Sequence, residues 1–479
     1  MDDRDDERDT LLLTQDRQID PDAAFGGRLG RNELEARLVS KLDTRMSILI
    51  LIYILNYLDR NNASAARLHG FERDLNLTGS QFASVLSILY VGYLVMQIPS
   101  NMFLNYIGRP SRFLPLCMAV WGLISVSTGF ATNFRTVMFT RFFIGFTEAA
   151  FFPGAWFLIS KWYSRRELSQ RTALLSCGSL ISNAIGSLVA SGILDSMEGR
   201  LGYAAWRWLF FIEGGATVVV AITAMFILPD FPENSSNWLS PAEQSLAMRR
   251  MAEDAGMDED PDPKHGSTAG LYMALSDGKV WWLALTLTSI VMSLSFNAYF
   301  PTLAETMGYG RTLTLLLCAP PWFFATFVGF AISRHSDQVG ERFWHIVAPL
   351  LIGTLGFLLA MSTMNTFVRY ISLFLMAQSY AGFIIYLSWA SGTIRPAYKR
   401  AVALAFINMV SSLGNIAGSY IWPSTWGPSY KASYSICIFA STLGILFCFM
   451  FRQHLASLNA SAERIEAEMD EPKGYRYLL

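Results

Sequence analysis

A carboxylate and a guanidinium stand side by side within an apolar stretch that runs from Met46 to about Ala66. They are Asp59 and Arg60, the last two residues of the sequence NYLDR at 56–60. A charged group at that depth in a bilayer costs about 2.5–3.5 kcal/mol on insertion scales, and such residues normally form ion paths, proton relays or ligand contacts. We therefore interpret Asp59 as a candidate for proton coupling and Arg60 as a candidate for attracting an anion.

A second pair of opposite charges, Arg141 and Glu148, lies in a later apolar stretch. Seven residues of helix turn by about 700° and rise by about 10 Å, so the two side chains share a face but cannot pair directly. Each needs a partner on another helix or a water-filled cavity. Threading the helices through a membrane places Arg141 at the depth of Asp59, so we expect these two side chains to pair.

Glu148 lies deeper than Asp59, where burial favours the neutral, protonated form of a carboxyl group. The pattern therefore makes Glu148 the main candidate for proton binding. Arg141 becomes a candidate for binding a carboxylate, since its planar fork suits a bidentate contact. The alternative interpretation of these charges is a static network that links helices.

Polar amides in later apolar stretches are weaker candidates for hydrogen bonding to a substrate. Hydrogen bonding between helices would explain them about as well. These candidate substrate-binding residues are Asn297, Gln378, Asn408 and Asn415.

Composition favours a membrane protein. The chain has 479 residues, of which 52% are hydrophobic and 16% charged, and its mean hydropathy is +0.32. A membrane helix needs about 20 residues. The apolar residues form twelve blocks that are each long enough to supply one such helix. They begin near Met46, Gln81, Arg112, Phe134, Ser169, Trp206, Val280, Thr312, Phe343, Tyr370, Tyr398 and Ser429. We expect an all-α membrane protein with twelve transmembrane helices in two six-helix bundles.

The blocks and the polar segments between them predict five regions. Residues 1–45 form a disordered N-terminal tail, 46–228 the first bundle, 229–279 a linker, 280–451 the second bundle and 452–479 a C-terminal tail. Lysine and arginine are concentrated in the loops on one side, which places both tails and the linker in the cytosol. In the linker, Ser240 and Glu243 have the spacing of a capping box at a helix start.

A short motif follows the second and the eighth block. Residues 101–109 read NMFLNYIGR and residues 333–342 read SRHSDQVGER. Both resemble the cytosolic gate loop of the major facilitator superfamily, in which charges pair between helix ends and stabilise the outward-open state. Asn105 stands where the family has an acid, so the first copy departs from the pattern. The resemblance implies these gate-loop residues: Gly108, Arg109, Asp337, Gly340 and Arg342.

Further stretches narrow the resemblance. NYLDRNN at 56–62, QIPSN at 97–101, RFFIGFTEAAFFPG at 141–154 and WRWLFFIEG at 206–214 are similar to the anion:cation symporter family, and within it to the fungal allantoate permease-like group. This resemblance implies transport of small carboxylates such as allantoate, nicotinate, pantothenate or biotin, usually with protons. It does not indicate which of them.

We therefore expect a proton-coupled importer of a small organic anion that works by alternating access. A proton-driven exporter of the same superfamily and a non-transporting nutrient receptor are the alternatives. The sequence has no spacing typical of a nucleotide loop, metal site or catalytic triad, so we expect no enzymatic activity, cofactor or metal.

The expected partners are the anion, protons and the lipid bilayer, with no nucleic acid, and the expected oligomeric state is a monomer. We place the protein in the plasma membrane, with a vacuolar or endosomal membrane as the alternative because residues 7–12 fit an acidic dileucine signal.

Overall fold

The computed structural model describes residues 27–235, 237–255, 267–394, 397–469 and 476–479, and within these ranges it is helical with no strand. Twelve long helices, α1 to α12 in chain order, form the body of the molecule. They are Gly27–Arg67, Gln81–Ile107, Pro110–Thr128, Phe134–Ser160, Arg165–Ser196, Ala205–Ile227, Gly278–Glu305, Arg311–Val339, Phe343–Ser362, Thr366–Thr393, Ala397–Ser419 and Lys431–Met469. The all-helical prediction is confirmed.

Ten of these helices are long and apolar enough to cross a membrane. The two exceptions are α1, which carries the charged and amide side chains of residues 56–62, and α2, whose apolar part is Gln81–Gln97. The chain is therefore a multi-pass membrane protein. Eleven of the twelve helices begin within four residues of the position predicted from sequence.

Helix α1 is the exception, because it begins at Gly27 and not near Met46. The predicted disordered tail therefore does not include residues 27–45; residues 1–26 lie outside the described ranges. Ion pairs hold the added turns against the linker helix Pro241–Ala255: Lys41 Nζ lies 2.6 Å from Glu243, and Arg31 pairs with Glu253. The predicted capping box is confirmed, with Ser240 and Glu243 exchanging bonds of 2.9 and 3.3 Å.

The C-terminal boundary also differs from the prediction, since α12 continues to Met469 instead of ending near residue 451. Residues 476–479 then return to the second half of the molecule. Tyr477 exchanges two hydrogen bonds with Asn459 of α12, and the Leu479 carbonyl accepts from the N–H of Arg342 at 2.9 Å.

The helices pack as two groups of six. In the first group α3 packs on α6 and α2 on α4, while α1 lies against α5 and α6. In the second group α7 packs on α11 and α12, and α9 packs on α10 and α12. The two groups meet along the pairs α5–α8 and α2–α11. The space between α1, α2, α5, α7 and α8 is therefore lined by both groups.

Three helices are interrupted near the middle of the molecule. Helix α4 breaks after Glu148 and resumes at Phe151, because Pro153 has no N–H to donate to the carbonyl of Ala149. Helix α7 passes through a 3₁₀ segment, Leu294–Tyr299, and α10 breaks between Ala377 and Tyr380. Interrupted membrane helices commonly border binding sites in transporters.

Helices α2 and α4 approach so closely that a glycine is required. A Cβ atom on Gly145 would lie 1.8 Å from the Leu89 carbonyl oxygen, and one on Gly92 would lie 2.1 Å from the Phe142 carbonyl oxygen. Both obstructions are backbone atoms that cannot rotate away. This contact fixes α4, and with it Arg141 and Glu148, against α2.

Gly145→Ala should therefore destabilise the protein. Pushing α4 from α2 is an overpacking change of the kind that costs about 1–3 kcal/mol. Thermal unfolding in detergent, followed by size-exclusion chromatography, would measure the loss. The matched control is Gly215→Ala on α6, where an added Cβ meets nothing within 4 Å. Equal melting temperatures for the two variants would contradict the packing argument.

Candidate functional site

The first half of the molecule contains a buried ion pair that the sequence did not predict. Arg60 Nε on α1 lies 2.6 Å from Glu148 Oε2 on α4, and the Glu148 side chain is fully buried. The break in α4 directly after Glu148 leaves this carboxylate at the end of a helical segment. Its other oxygen, Oε1, has no hydrogen-bond partner among the described residues.

Aromatic rings hold the Arg60 guanidinium in place. Its Cζ atom lies 5.2 Å from the ring centroid of Tyr57 and 4.8 Å from that of Tyr93. Cation–π contacts of this kind gain strength where water is excluded. Tyr93 also interacts with Asn408 of α11, so this end of the site touches the second half of the molecule.

Arg141 is buried, and only some of its guanidinium N–H donors have a hydrogen-bond acceptor. Its Nη1 donates to the backbone carbonyls of Asp59 and Arg60 at 3.1 and 3.2 Å, which ties α4 to α1. Its Nε and Nη2 have no acceptor among the described residues, although Arg141 is only 1% exposed. Nε and Nη2 form one edge of the guanidinium plane, the edge that can hold both oxygens of a carboxylate. Buried donors without partners are costly, so such an edge marks a place for an acceptor.

Asp59 does not form the predicted ion pair with Arg141 in this conformation. Its carboxylate instead accepts from Ser125 Oγ of α3 at 2.7 Å and from Thr217 Oγ1 of α6 at 2.9 Å. Arg141 reaches only the backbone of Asp59. Equal depth on two helices could not reveal which way the side chains turn. Asp59 is completely buried and faces the interior of the first half, not lipid.

Two small cavities lie between the halves. One of about 20 Å³ is lined by residues that include Arg60, Arg141, Tyr90 and Ala298. The second, of about 40 Å³, is lined in part by the amides of residues 61, 62, 183 and 297. A water molecule needs about 10–15 Å³ and a small-molecule site about 300 Å³ or more. Both cavities can therefore hold water, but neither can hold an organic anion in this conformation.

The predicted amides have different environments. Asn297 lines the larger cavity, in the 3₁₀ segment of α7. Asn408 lies beside Tyr93, and Asn415 is half-buried on α11. Gln378 donates to the backbone carbonyls of Pro349 and Leu375 at 2.9 and 3.0 Å, so its amide links α9 to α10. The structure thus places Asn297 at a cavity and Asn408 beside Tyr93, and it assigns Gln378 to helix packing.

Sequence reasoning gave no role to three polar residues in this region. Asn61 Nδ2 donates to Asn183 Oδ1 at 2.6 Å beside the larger cavity. Glu213 on α6 is a third buried acid of the first half. The rule that selected Asp59, an acid within an apolar helix, would also have selected Glu213.

Hydrogen bonds join the two halves at the end of the molecule where α1 ends and α2 begins, which the distribution of lysine and arginine predicts to be the outer end. Tyr420, directly after α11, bonds Ser84 and Ser87 of α2 at 3.0 and 3.3 Å. Thr312 of α8 donates to Asp195 of α5 at 2.9 Å. Near these contacts the guanidinium of Arg67 lies 4.5 Å from the ring centroid of Phe82 and 5.6 Å from that of Tyr299. These contacts close the outer end.

The two predicted gate loops are structurally equivalent. Gly108 ends α2 with φ 64° and Gly340 ends α8 with φ 70°, a left-handed conformation that favours glycine. In the second loop Arg342 Nη2 lies 2.6 Å from Asp337. In the first, Arg109 is exposed. The repeat read from sequence thus corresponds to the same turn in each half.

Comparison with known proteins agrees with the fold. Residues 49–419 match the sequence pattern of the Major Facilitator Superfamily. The chain is 30% identical to the MFS-type transporter cnsO of Penicillium expansum over 86% of this chain and 81% of that protein. It is also 30% identical to the "Putative tartrate transporter" of Agrobacterium vitis, over 83% of this chain and 86% of that protein. The structure resembles an inward-facing bacterial homologue of the lysosomal transporter Spinster, with a TM-score of 0.65, 16% identity, and coverage of 85% of this chain and 96% of that one.

Proposed function

The chain belongs to the Major Facilitator Superfamily, and we propose that it imports a small organic anion together with protons. Its relatives are named transporters, and the fold is that of a secondary transporter. The finer assignment is to the anion:cation symporters and their allantoate permease-like group. We place the protein in the plasma membrane, acting as a monomer.

The unpaired edge of Arg141 is the observation that carries this proposal. It is a cationic, bidentate donor, buried beside a cavity and without an acceptor among the described residues. A carboxylate matches it in charge and in geometry. Arg60, on the border of the same cavity, supplies a second cation. Two arginines facing one small space favour an anion over a neutral or cationic substrate.

The pair between Arg60 and Glu148 supports proton coupling. The anion competes with Glu148 for the guanidinium of Arg60, and a buried carboxylate that loses its counter-ion is strongly destabilised. A proton bound to Glu148 removes that conflict, because the neutral acid no longer needs Arg60. Proton uptake by Glu148 and anion binding by Arg60 therefore favour each other.

Alternating access would expose the cavities to each side in turn. The outer contacts at Tyr420, Thr312 and Arg67 hold the outer end closed, so the conformation described corresponds to the outer-closed part of the cycle. Rocking of the two halves about the central site would break these contacts and admit the anion from outside.

Uptake of labelled carboxylates into a carrier-deficient host would test the proposal. The panel should contain allantoate, nicotinate, pantothenate, biotin and tartrate, each at two external pH values. We expect accumulation of at least one anion, faster at the lower pH and abolished by a protonophore. Efflux from loaded cells without uptake would favour an exporter. Binding without movement of any anion would favour a receptor.

The pH dependence should rest partly on Asp59. Uptake should rise as external pH falls, because a protonated Asp59 would release the hydroxyls of Ser125 and Thr217 and loosen the contact of α1 with α3 and α6. Asp59→Asn cannot ionise, so we expect a flatter profile of uptake against pH. Ser127→Ala, on an exposed turn of α3, is the control. An unaltered profile in Asp59→Asn would overturn this role.

A further inference from the structure

Glu213 is a buried acid that the transport scheme above does not use. It lies on α6, about 12 Å from the outer end of that helix, and Asp59 lies about 12 Å from the outer end of α1. The Glu213 residue is 4% exposed, and neither carboxyl oxygen has a hydrogen-bond partner among the described residues. The other two buried acids each have partners: one oxygen of Glu148 pairs with Arg60, and both oxygens of Asp59 accept from hydroxyls.

The charges of the first half do not balance if every group is ionised. Three buried acids, Asp59, Glu148 and Glu213, face two arginines, the buried Arg141 and the partly buried Arg60. The result is one negative charge in excess, which a membrane interior does not tolerate without a proton or a counter-ion. Glu213 has no cation paired with it, and neither of its oxygens accepts a hydrogen bond from the described residues, so burial favours its neutral form most strongly among the three acids.

Few titratable side chains interact electrostatically with Glu213. Helices α1, α3 and α5 pack against α6, and within the described residues Asp59 on α1 is the titratable side chain whose charge acts on Glu213. That charge is negative, and it opposes ionisation of Glu213 as long as Asp59 is ionised. The two acids are therefore coupled: ionisation of one favours retention of a proton on the other.

Asn62 connects Glu213 to water. Its amide is near enough to interact with the Glu213 carboxyl, and its Nδ2 has no hydrogen-bond acceptor among the described residues. The same residue lines the larger cavity, whose volume of about 40 Å³ can hold water. Asn62 therefore lies beside both the Glu213 carboxyl and a cavity that can hold the water needed to exchange a proton.

We propose that Glu213 is a second transported-proton site, protonated from the outside before the outer end closes, neutral in the conformation described and emptied once the inner end opens. In the loading step, a hydronium ion in the cavity gives its proton to the Glu213 carboxylate, leaving water and the neutral acid. In the release step, the neutral acid returns that proton to cavity water once the inner end opens, leaving the carboxylate and a hydronium ion that departs to the inside. The carboxylate is protonated again from the outside in the next cycle. This inference rests on the proposed proton-coupled import.

The test is the number of protons moved with each anion. It is measured in proteoliposomes as the pH gradient that just cancels a known anion gradient, with the wild-type substrate. Glu213→Gln keeps the size of the protonated acid but cannot exchange a proton. We expect one proton fewer per anion than in wild type, with anion exchange retained. Glu305→Gln, an exposed acid at the end of α7, is the matched control and should keep the wild-type ratio.

A wild-type ratio in Glu213→Gln would overturn the proposal and make Glu213 a permanently neutral packing residue. If wild type itself moves no protons, the proposed function fails first, so the two failures are distinguishable. Infrared spectroscopy gives a second readout, because Glu213→Gln should remove part of the protonated-carboxyl band that the wild-type protein shows without anion. An undiminished band in that variant would also overturn the proposal.

Discussion

Glu148→Gln should abolish accumulation of the anion against its gradient while leaving exchange of internal for external anion intact. The glutamine cannot ionise, so Arg60 loses its counter-ion at 2.6 Å and stays available to the anion at every pH. The anion then binds and crosses, but no proton is bound or released at this position. Uphill uptake driven by a pH gradient and counterflow in preloaded vesicles measure the two activities separately.

Glu148→Asp provides the control, because it retains an ionisable carboxyl on the same helix face. We expect it to recover part of the pH-driven accumulation, which a purely structural role for the carboxyl would not require. Normal uphill uptake by Glu148→Gln would remove Glu148 from proton coupling. The ion pair with Arg60 would then be a static link between α1 and α4.

Arg141→Lys should weaken anion binding by tenfold or more, at least about 1.4 kcal/mol. A lysine ammonium can replace the Nη1 bonds to the carbonyls of Asp59 and Arg60, but it cannot present the paired Nε and Nη2 donors. The substitution therefore removes the bidentate edge and keeps a positive charge. Concentration dependence of uptake, or of substrate-induced thermal stabilisation, would measure the change.

Arg207→Lys is the matched control for this experiment. Arg207 on α6 also donates through Nη1 to two backbone carbonyls, those of Gly129 and Ala131 at 2.8 Å each, but it does not line either cavity. We expect unchanged anion affinity in that variant. If Arg141→Lys behaves in the same way as Arg207→Lys, Arg141 belongs to helix packing and the anion site lies elsewhere.

The positions of the helices followed from sequence because the membrane imposes a simple physical rule. A segment that crosses the bilayer must satisfy its backbone internally and present an apolar surface over about 20 residues. That rule located α2 to α12 to within four residues. It failed for the start of α1, where residues 27–45 are polar and are stabilised by ion pairs with a helix more than 200 residues away. Partners so distant in sequence leave no local signal.

The candidate site was partly determined by sequence for a related reason. Charge within an apolar helix is costly, so Asp59, Arg60, Arg141 and Glu148 stood out by type and position alone. The structure brings Arg60, Arg141 and Glu148 to one site and turns the Asp59 side chain away from it. Glu213 meets the same criterion, but it was read only as part of a family motif.

Which of these charges contact one another was decided only by the tertiary structure. Helical periodicity gives the face and depth of a side chain, but not its rotamer or the rotation of the neighbouring helix. Glu148 therefore pairs with Arg60, while Asp59 turns to two hydroxyls on α3 and α6. The unpaired edge of Arg141 and the isolated carboxyl of Glu213 depend on the packing of four helices. A buried group lacks a hydrogen-bond partner only when none of the neighbouring helices supplies one, so its state follows from the positions of all of them.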